Sequence, residues 1–293
     1  MLQIDGLSVA YGGVVAVRDV SLTVRPGEVV AVLGANGAGK TTTLLAVSGL
    51  VRARAGDVRV DGVSVLRRPP EAIARLGVAH VLAGRGIFPG LTAADNLRMG
   101  LYGAGRDSSD EGAAAVERVL GLFPILRERR TQPAGTMSGG QQQQLAIGRA
   151  LVQAPRLLLL DEMSMGLSPT VVADLFAIVA DLRSDGIGVV MVEQFVAQAM
   201  AVADHAVVLE QGRVVASGSP DELSHDDLAA AYLGGGGAPV RRLAGPPSSA
   251  RESMPVTLAG SDVRRLQQLA AARGTSVDVA VGGLVRSALE QQP

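Results

Sequence analysis

The segment Gly34-Ala-Asn-Gly-Ala-Gly-Lys-Thr41 constrains this chain more than any other. It fits the pattern G-x-x-x-x-G-K-[ST]. The run Glu28 to Leu33, after Pro26-Gly27, reads as a fully buried strand in front of it, and Lys40 to about Gly49 reads as a helix behind it. A glycine-rich loop between a buried strand and a helix belongs to a parallel α/β sheet. Its glycines let the backbone curl so that N–H groups face inward, where they and the helix N-terminus stabilise phosphate charge. The pattern places Lys40 on the β- and γ-phosphates of a nucleotide and Thr41 on Mg²⁺, with Gly34, Asn36, Gly37, Gly39 and Thr42 completing the cradle. Lys40 is also the only lysine in the chain, every other basic side chain being arginine. A compact ammonium is not interchangeable with a planar guanidinium, so a site that needs a point charge at close quarters accounts for the exception.

The rest of the chain fits this frame. Leu2, Ile4, Leu7 and Val9, then Val20, Leu22 and Val24, alternate with polar residues and predict antiparallel strands. Residues 56 to 66 read as a further hairpin. From about 86 to 153 the pattern is helical. Arg156 to Asp161 and Gly188 to Glu193 read as two more buried strands, separated by a helix from Pro169 to about Ser184. Ala206 to Glu210 and Arg213 to Ala216 flank Gln211-Gly212 as a closing hairpin. Leu157-Leu-Leu-Leu-Asp-Glu162 is an apolar strand ending in two acids, at the sheet edge where α/β proteins bind ligands. Asp161 is a candidate for Mg²⁺ and Glu162 for orienting or deprotonating an attacking water. Taken alone, the two acids equally fit ordinary capping of the next segment.

Met137-Ser-Gly-Gly-Gln-Gln-Gln-Gln-Leu-Ala-Ile-Gly-Arg-Ala-Leu151 decides between them, because it closely resembles the signature of ABC ATPases and lies between the two nucleotide motifs. The resemblance covers residues 1 to about 233. It implies a P-loop ABC ATPase fold: a RecA-like α/β core, an antiparallel β subdomain and a helical subdomain at about 86–153. It further implies ATP and Mg²⁺ as ligands, and Ser138, Gly139, Gly140 and Gln141 facing the phosphate loop of a second ATPase subunit, two chains sandwiching two ATP molecules. Tyr11 falls where the family stacks an aromatic on adenine, although a lone Tyr near an edge strand is unremarkable by itself. Gln194 falls at the switch position that commonly carries His; it can donate a hydrogen bond to the γ-phosphate without changing charge. Ser164 to Ser168 occupies the loop that crosses the dimer interface.

Within the family, Leu157 to Glu162, Gly166-Leu-Ser-Pro169, Arg130 to Ser138, Ala231-Tyr-Leu-Gly234 and Val192-Glu-Gln194 look most like the subunit of branched-chain amino acid importers. That implies integral-membrane permease subunits as partners, a homo- or heterodimer of ATPases, and a periplasmic or lipid-anchored substrate-binding protein acting indirectly. Phe88-Pro89 would face the permease. One departure stands out. Val81-Leu82-Ala83-Gly84-Arg85 lies where the family carries a loop with Gln or Glu, so Ala83 has no side-chain oxygen to orient water. Either turnover is slowed and the chain is a hydrolysis-impaired, ATP-binding regulator, or a neighbour such as Arg85 or a water compensates. Met163 replaces the usual proline after Glu162.

Composition bounds the remaining possibilities. The longest apolar runs, Leu157 to Leu160 and Val189 to Val192, fall far short of the ~18 residues of a membrane span. Asp5 and the lack of a basic start before an apolar stretch give no sign of a signal peptide. With no cysteine and three scattered histidines, no thiolate or histidine metal site is expected. The expected location is the cytoplasmic face of the membrane, held peripherally. After about residue 233 the composition shifts to a Gly-, Pro-, Ser- and Arg-rich linker at 234–254, then a small module at 255–293. Its Pro255–Leu258 strand and two helices, the second opened by Thr275-Ser-Val-Asp278, resemble a ribbon-helix-helix unit. A net charge of −1 and a strand whose only polar outward side chain is Thr257 favour dimerisation or regulation over DNA binding.

Overall fold

The computed structural model describes residues 1–84, 86–104 and 110–223. The linker expected at 234–254, the strand–helix–helix module at 255–293, the Ala231–Gly234 string and Arg85 lie outside the described residues.

The chain opens with a hairpin of β1 (Leu2–Tyr11) and β2 (Val14–Val24), then β3 (Val29–Leu33) and α1 (Lys40–Val47). There follow β4 (Ala55–Val60), β5 (Val63–Ser64), α2 (Pro70–Ala74) and β6 (Val78–Val81). Four helices come next: α3 (Ala93–Ala104), α4 (Asp110–Leu122), α5 (Pro124–Glu128) and, after a 3-10 turn at Ala134–Thr136, α6 (Gly139–Leu151). The described part closes with β7 (Leu157–Asp161), α7 (Pro169–Leu182), β8 (Gly188–Val192), α8 (Val196–Val202), β9 (His205–Glu210) and β10 (Arg213–Gly218).

Two sheets result. The antiparallel one has the order β2-β1-β4-β5, and the larger one is six-stranded with the order β10-β9-β3-β8-β7-β6. Strands β9, β3, β8, β7 and β6 run parallel, and only β10 is antiparallel to its neighbour. The central strands are apolar at every position because both faces are covered. Val29, Ala31 and Leu33 face one core with Leu158, Leu160, Val189 and Met191, packed under the helical region and α7. Val30 and Val32 face the other with Leu157, Leu159, Val190 and Val192, covered by α1 and the antiparallel sheet. A period of two within an unbroken apolar run thus separates two cores.

The helical region runs from Ala93 to Leu151. Its tightest seam lies between α3 and α6. A Cβ on Gly100 would meet the Arg149 carbonyl oxygen at 2.3 Å, so only glycine allows that approach. Ala for Gly100 is expected to force the two helices apart and cost about 1–3 kcal/mol, read from chemical denaturation.

His80 ties β6 to the end of α1. Its Nδ1 lies 2.9 Å from Ser48 Oγ, which in turn donates to the Leu44 carbonyl at 3.1 Å. The ring is mostly buried, its Nε2 has no partner, and burial holds its pKa down at about 4, against 6.5 in the unfolded chain. The unfolded chain therefore takes up a proton that the folded one refuses between those values. The resulting stability is complete above pH 6.5 and is lost as pH falls toward 4. At about 1.4 kcal/mol per pH unit, the loss reaches about 3 kcal/mol. Urea titrations at several pH values should show this component in the wild type and not in His80→Gln.

Candidate active site

Register brings four strand ends to one edge. Val32 of β3 and Asp161 of β7 both sit beside Val192 of β8, and Leu160 of β7 sits beside Val81 of β6. The loops leaving these strands are residues 34–39, 82–84, 162–168 and 193–195, so all converge on the carboxyl edge of the sheet.

The loop after β3 is held in its curl by glycines. Gly34, Gly37 and Gly39 have φ of 139°, 81° and 99°. A Cβ on Gly34 would lie 2.1 Å from the Leu209 carbonyl oxygen, and one on Gly39 2.6 Å from that of Ala16. Lys40 is buried, and its Nζ donates to the carbonyls of Gly34 at 2.7 Å and Ala35 at 3.0 Å, arching back over the loop. Burial pushes the Lys40 pKa down, while the charges of Glu162 and Asp161 push it up. Asn36 and Gly37 are exposed on the loop's outer curve, and Thr42 is half-buried on α1.

Asp161 meets this loop directly. Thr41 Oγ1 donates to its Oδ1 at 2.9 Å. Its Oδ2 is buried without a partner. Burial raises the Asp161 pKa, the Thr41 bond opposes the rise, Glu162 adds to it, and the Ala83 backbone amide and Lys40 oppose it. A hydroxyl and a buried carboxylate oxygen lacking a donor form a hard oxygen pair, the donor set Mg²⁺ takes alongside phosphate oxygens. The residues fit the ion.

Glu162 follows in a left-handed backbone conformation, φ 48°, fixed by its N–H donating to the Val192 carbonyl at 2.9 Å. Such a conformation costs a non-glycine residue roughly 1 kcal/mol or more and aims the side chain away from the strand's course. Gln194 Nε2 donates to Glu162 Oε1 at 2.9 Å. The two residues expected at the reacting end of the nucleotide, 32 positions apart, are therefore in contact. Met163 is buried in the core, where an apolar side chain substitutes for the usual proline without cost in burial.

Ser138 caps α6. Its hydroxyl accepts from the Gln141 N–H, and Gln141 Oε1 accepts from the Ser138 N–H at 3.0 Å, a reciprocal capping box. Gly139 and Gly140 form the first turn, and a Cβ on Gly140 would lie 3.0 Å from a Val171 methyl on α7. Tyr11 ends β1 at the hairpin tip and is 48% exposed. Among the described residues no hydrogen bond links Tyr11 or Ser138 to the phosphate loop, so these two stand apart from the cluster of Lys40, Thr41, Asp161, Glu162 and Gln194.

Sequence reasoning passed over Glu193. It is buried against Ser164, and the signal was present: an acid directly following four apolar residues of β8 has no solvent to face.

Residues 17–165 match the family model described as ABC transporter. The high-affinity branched-chain amino acid transport ATP-binding protein BraG of Pseudomonas aeruginosa is 44% identical over 236 residues, covering 80% of this chain and 100% of that protein. The lipopolysaccharide export system ATP-binding protein LptB of Escherichia coli is 36% identical, covering 80% of this chain and 97% of that protein. A solved ATP-binding subunit of an ABC transporter is 28% identical with a TM-score of 0.69, covering 80% of this chain and 96% of that one.

Lys40→Ala removes the buried ammonium that arches over the loop. Equilibrium binding of ATP to Lys40→Ala is expected to weaken about 10- to 100-fold. Glu162→Gln should bind ATP within about threefold of wild type while phosphate release falls below a hundredth.

Proposed function

Because the chain belongs to the ABC transporter family of ATP-hydrolysing subunits, we propose that it drives a membrane importer for branched-chain amino acids or related amino acids and amides. The observation carrying this reading is the match to the branched-chain amino acid transport protein over that protein's entire length. The Val192-Glu-Gln194 string, with no His at the switch, supports it. The similarity to a lipopolysaccharide export subunit is a reminder that a motor's residues do not contact the cargo, so the test must read transport.

In this reading, the amides of residues 34–39 and Lys40 bind the β- and γ-phosphates of ATP, and Thr42 closes the cradle beside Thr41. Thr41 and Asp161 would hold Mg²⁺, which when bound neutralises charge on the phosphates. Glu162 orients the attacking water and accepts its proton, with Gln194 fixing the Glu162 carboxylate and donating toward the γ-phosphate. The rate gain comes from positioning and charge neutralisation, as phosphoryl transfer requires. Tyr11 stacks on adenine. Ser138, Gly139, Gly140 and Gln141 complete the nucleotide site of a second ATPase subunit, the same chain or a sister.

Among the described residues no helix is long and apolar enough to cross a membrane. The proposed place is peripheral, on the cytoplasmic face, beneath two permease subunits that receive cargo from a periplasmic or lipid-anchored binding protein. Phe88, 43% exposed, supports a docking tip there, with the Arg149 guanidinium 5.2 Å from its ring on the inner side. Residues 1–233 form the nucleotide-binding domain in this scheme, and 255–293 an appended dimerisation or regulatory module rather than a DNA reader.

Proteoliposomes holding the permease pair and this chain should take up labelled leucine only with Mg²⁺-ATP inside the reach of the motor, with valine and isoleucine competing. Uptake should stop with Glu162→Gln. Hydrolysis without competed uptake would remove the amino-acid reading while leaving the ATPase intact. Ala83 supports a second reading, a slowly turning ATP-binding regulator. Ala83→Glu is expected to raise turnover several-fold; unchanged turnover would assign the role to the Ala83 backbone amide or a neighbour.

A further inference from the structure

We infer that Glu193 is a positioning residue for hydrolysis, its carboxylate clamping the turn after β7 to the turn after β8 so that Glu162 and Gln194 meet in a fixed geometry. The inference rests on the ATPase reading and is independent of the cargo.

Glu193 and Ser164 are 1% and 2% exposed, values at which an ionisable side chain needs an explanation. The Ser164 hydroxyl donates to Glu193 Oε2, the Ser164 N–H donates to Oε1 at 3.2 Å, and the Gln194 N–H donates to Oε2 at 3.3 Å. Every contact is a donor facing the carboxylate. An acceptor-only group with two oxygens matches that set; an amide would turn an NH₂ toward one of the donors. Burial raises the Glu193 pKa, the bonds from Ser164 and Gln194 oppose the rise, and the nearby Glu162 charge adds to it.

The residues joined explain the consequence. Ser164 lies two positions after Glu162, and Gln194 is the residue after Glu193. The clamp therefore grips the chain immediately beside both ends of the Gln194–Glu162 bond, itself 2.9 Å long. Glu162 sits on a left-handed backbone that does not hold itself. On one side it is fixed by the Val192 carbonyl, and on the other by the Ser164–Glu193 contact. Beyond Ser164 the loop turns outward through exposed Met165 and Gly166, φ 72°, so the clamp is the last buried point before that loop leaves the core. A buried carboxylate is a poor way to gain stability, since an apolar pair of the same volume often does as well. Its use here is geometric.

The test is steady-state ATP hydrolysis by the full chain, comparing wild type, Glu193→Gln, Ser164→Ala and the double variant. Each single change is expected to lower kcat about tenfold or more, with KM for ATP within about threefold. The double variant should fall no further than the worse single one, because both break the same clamp. Multiplying losses, a rise in KM at unchanged kcat, or wild-type kcat in both single variants would overturn the inference. Should Glu193→Gln fail to fold, Ser164→Ala removes only a hydroxyl and decides alone: a tenfold fall in kcat at unchanged KM supports the clamp, and wild-type kcat rejects it.

Discussion

The bond from Thr41 to Asp161 joins residues 120 positions apart, and the site depends on it. It connects the first turn of α1 to the end of β7, across the gap between strands that are not hydrogen-bonded to each other. In the large sheet β8 lies between β3 and β7. The phosphate loop and the acids are thus held at a spacing set by one intervening strand, about 9–10 Å between the outer two. The hydroxyl and carboxylate bridge that interval, and residues following β8 fill the middle of it.

That arrangement concentrates negative charge. Asp161, Glu162 and Glu193 stand at one edge with a single ammonium, Lys40, among them. Each acid is held by different means. Asp161 accepts from Thr41 and keeps one oxygen bare. Glu193 is saturated by backbone and hydroxyl donors. Glu162 is half-buried and accepts from a neutral amide. Desolvation raises the cost of charge at Asp161 and Glu193, so the edge as a whole is primed to take positive charge. A divalent ion held by Thr41 and Asp161, as proposed, would serve that purpose without any protein group having to titrate.

Much of this was legible in the sequence because the relevant signals are local. The phosphate loop announces itself through glycines at fixed spacing and the sole lysine. The buried strands show as apolar runs with sharp ends, and observed limits differ from expected ones by a residue or two. What sequence could not supply is pairing across distance. The bond between Gln194 and Glu162 needs β7 and β8 to be neighbours, and strand order is set by tertiary packing. The Glu193–Ser164 contact is hidden for the same reason: the apolar run before Glu193 signals its burial, but only register places Ser164 against it. The short helices α2 and α8 were missed because five and seven residues are too few to show a helical period.

The identity of residue 194 constrains the proton's route. Commonly a histidine stands there and can share or pass a proton; an amide cannot. Lys40 Nζ is engaged with the Gly34 and Ala35 carbonyls, and Asp161 Oδ1 accepts from Thr41. Glu193 is enclosed by its three donors. In the proposed mechanism the Glu162 carboxylate, whose Oε1 is fixed by Gln194, receives the proton of an attacking water. In that mechanism the amide acts through direction rather than charge. By holding one carboxylate oxygen it aims the other, and the precision of that aim rests on the backbone turn at Glu162 and the buried contacts on either side of it.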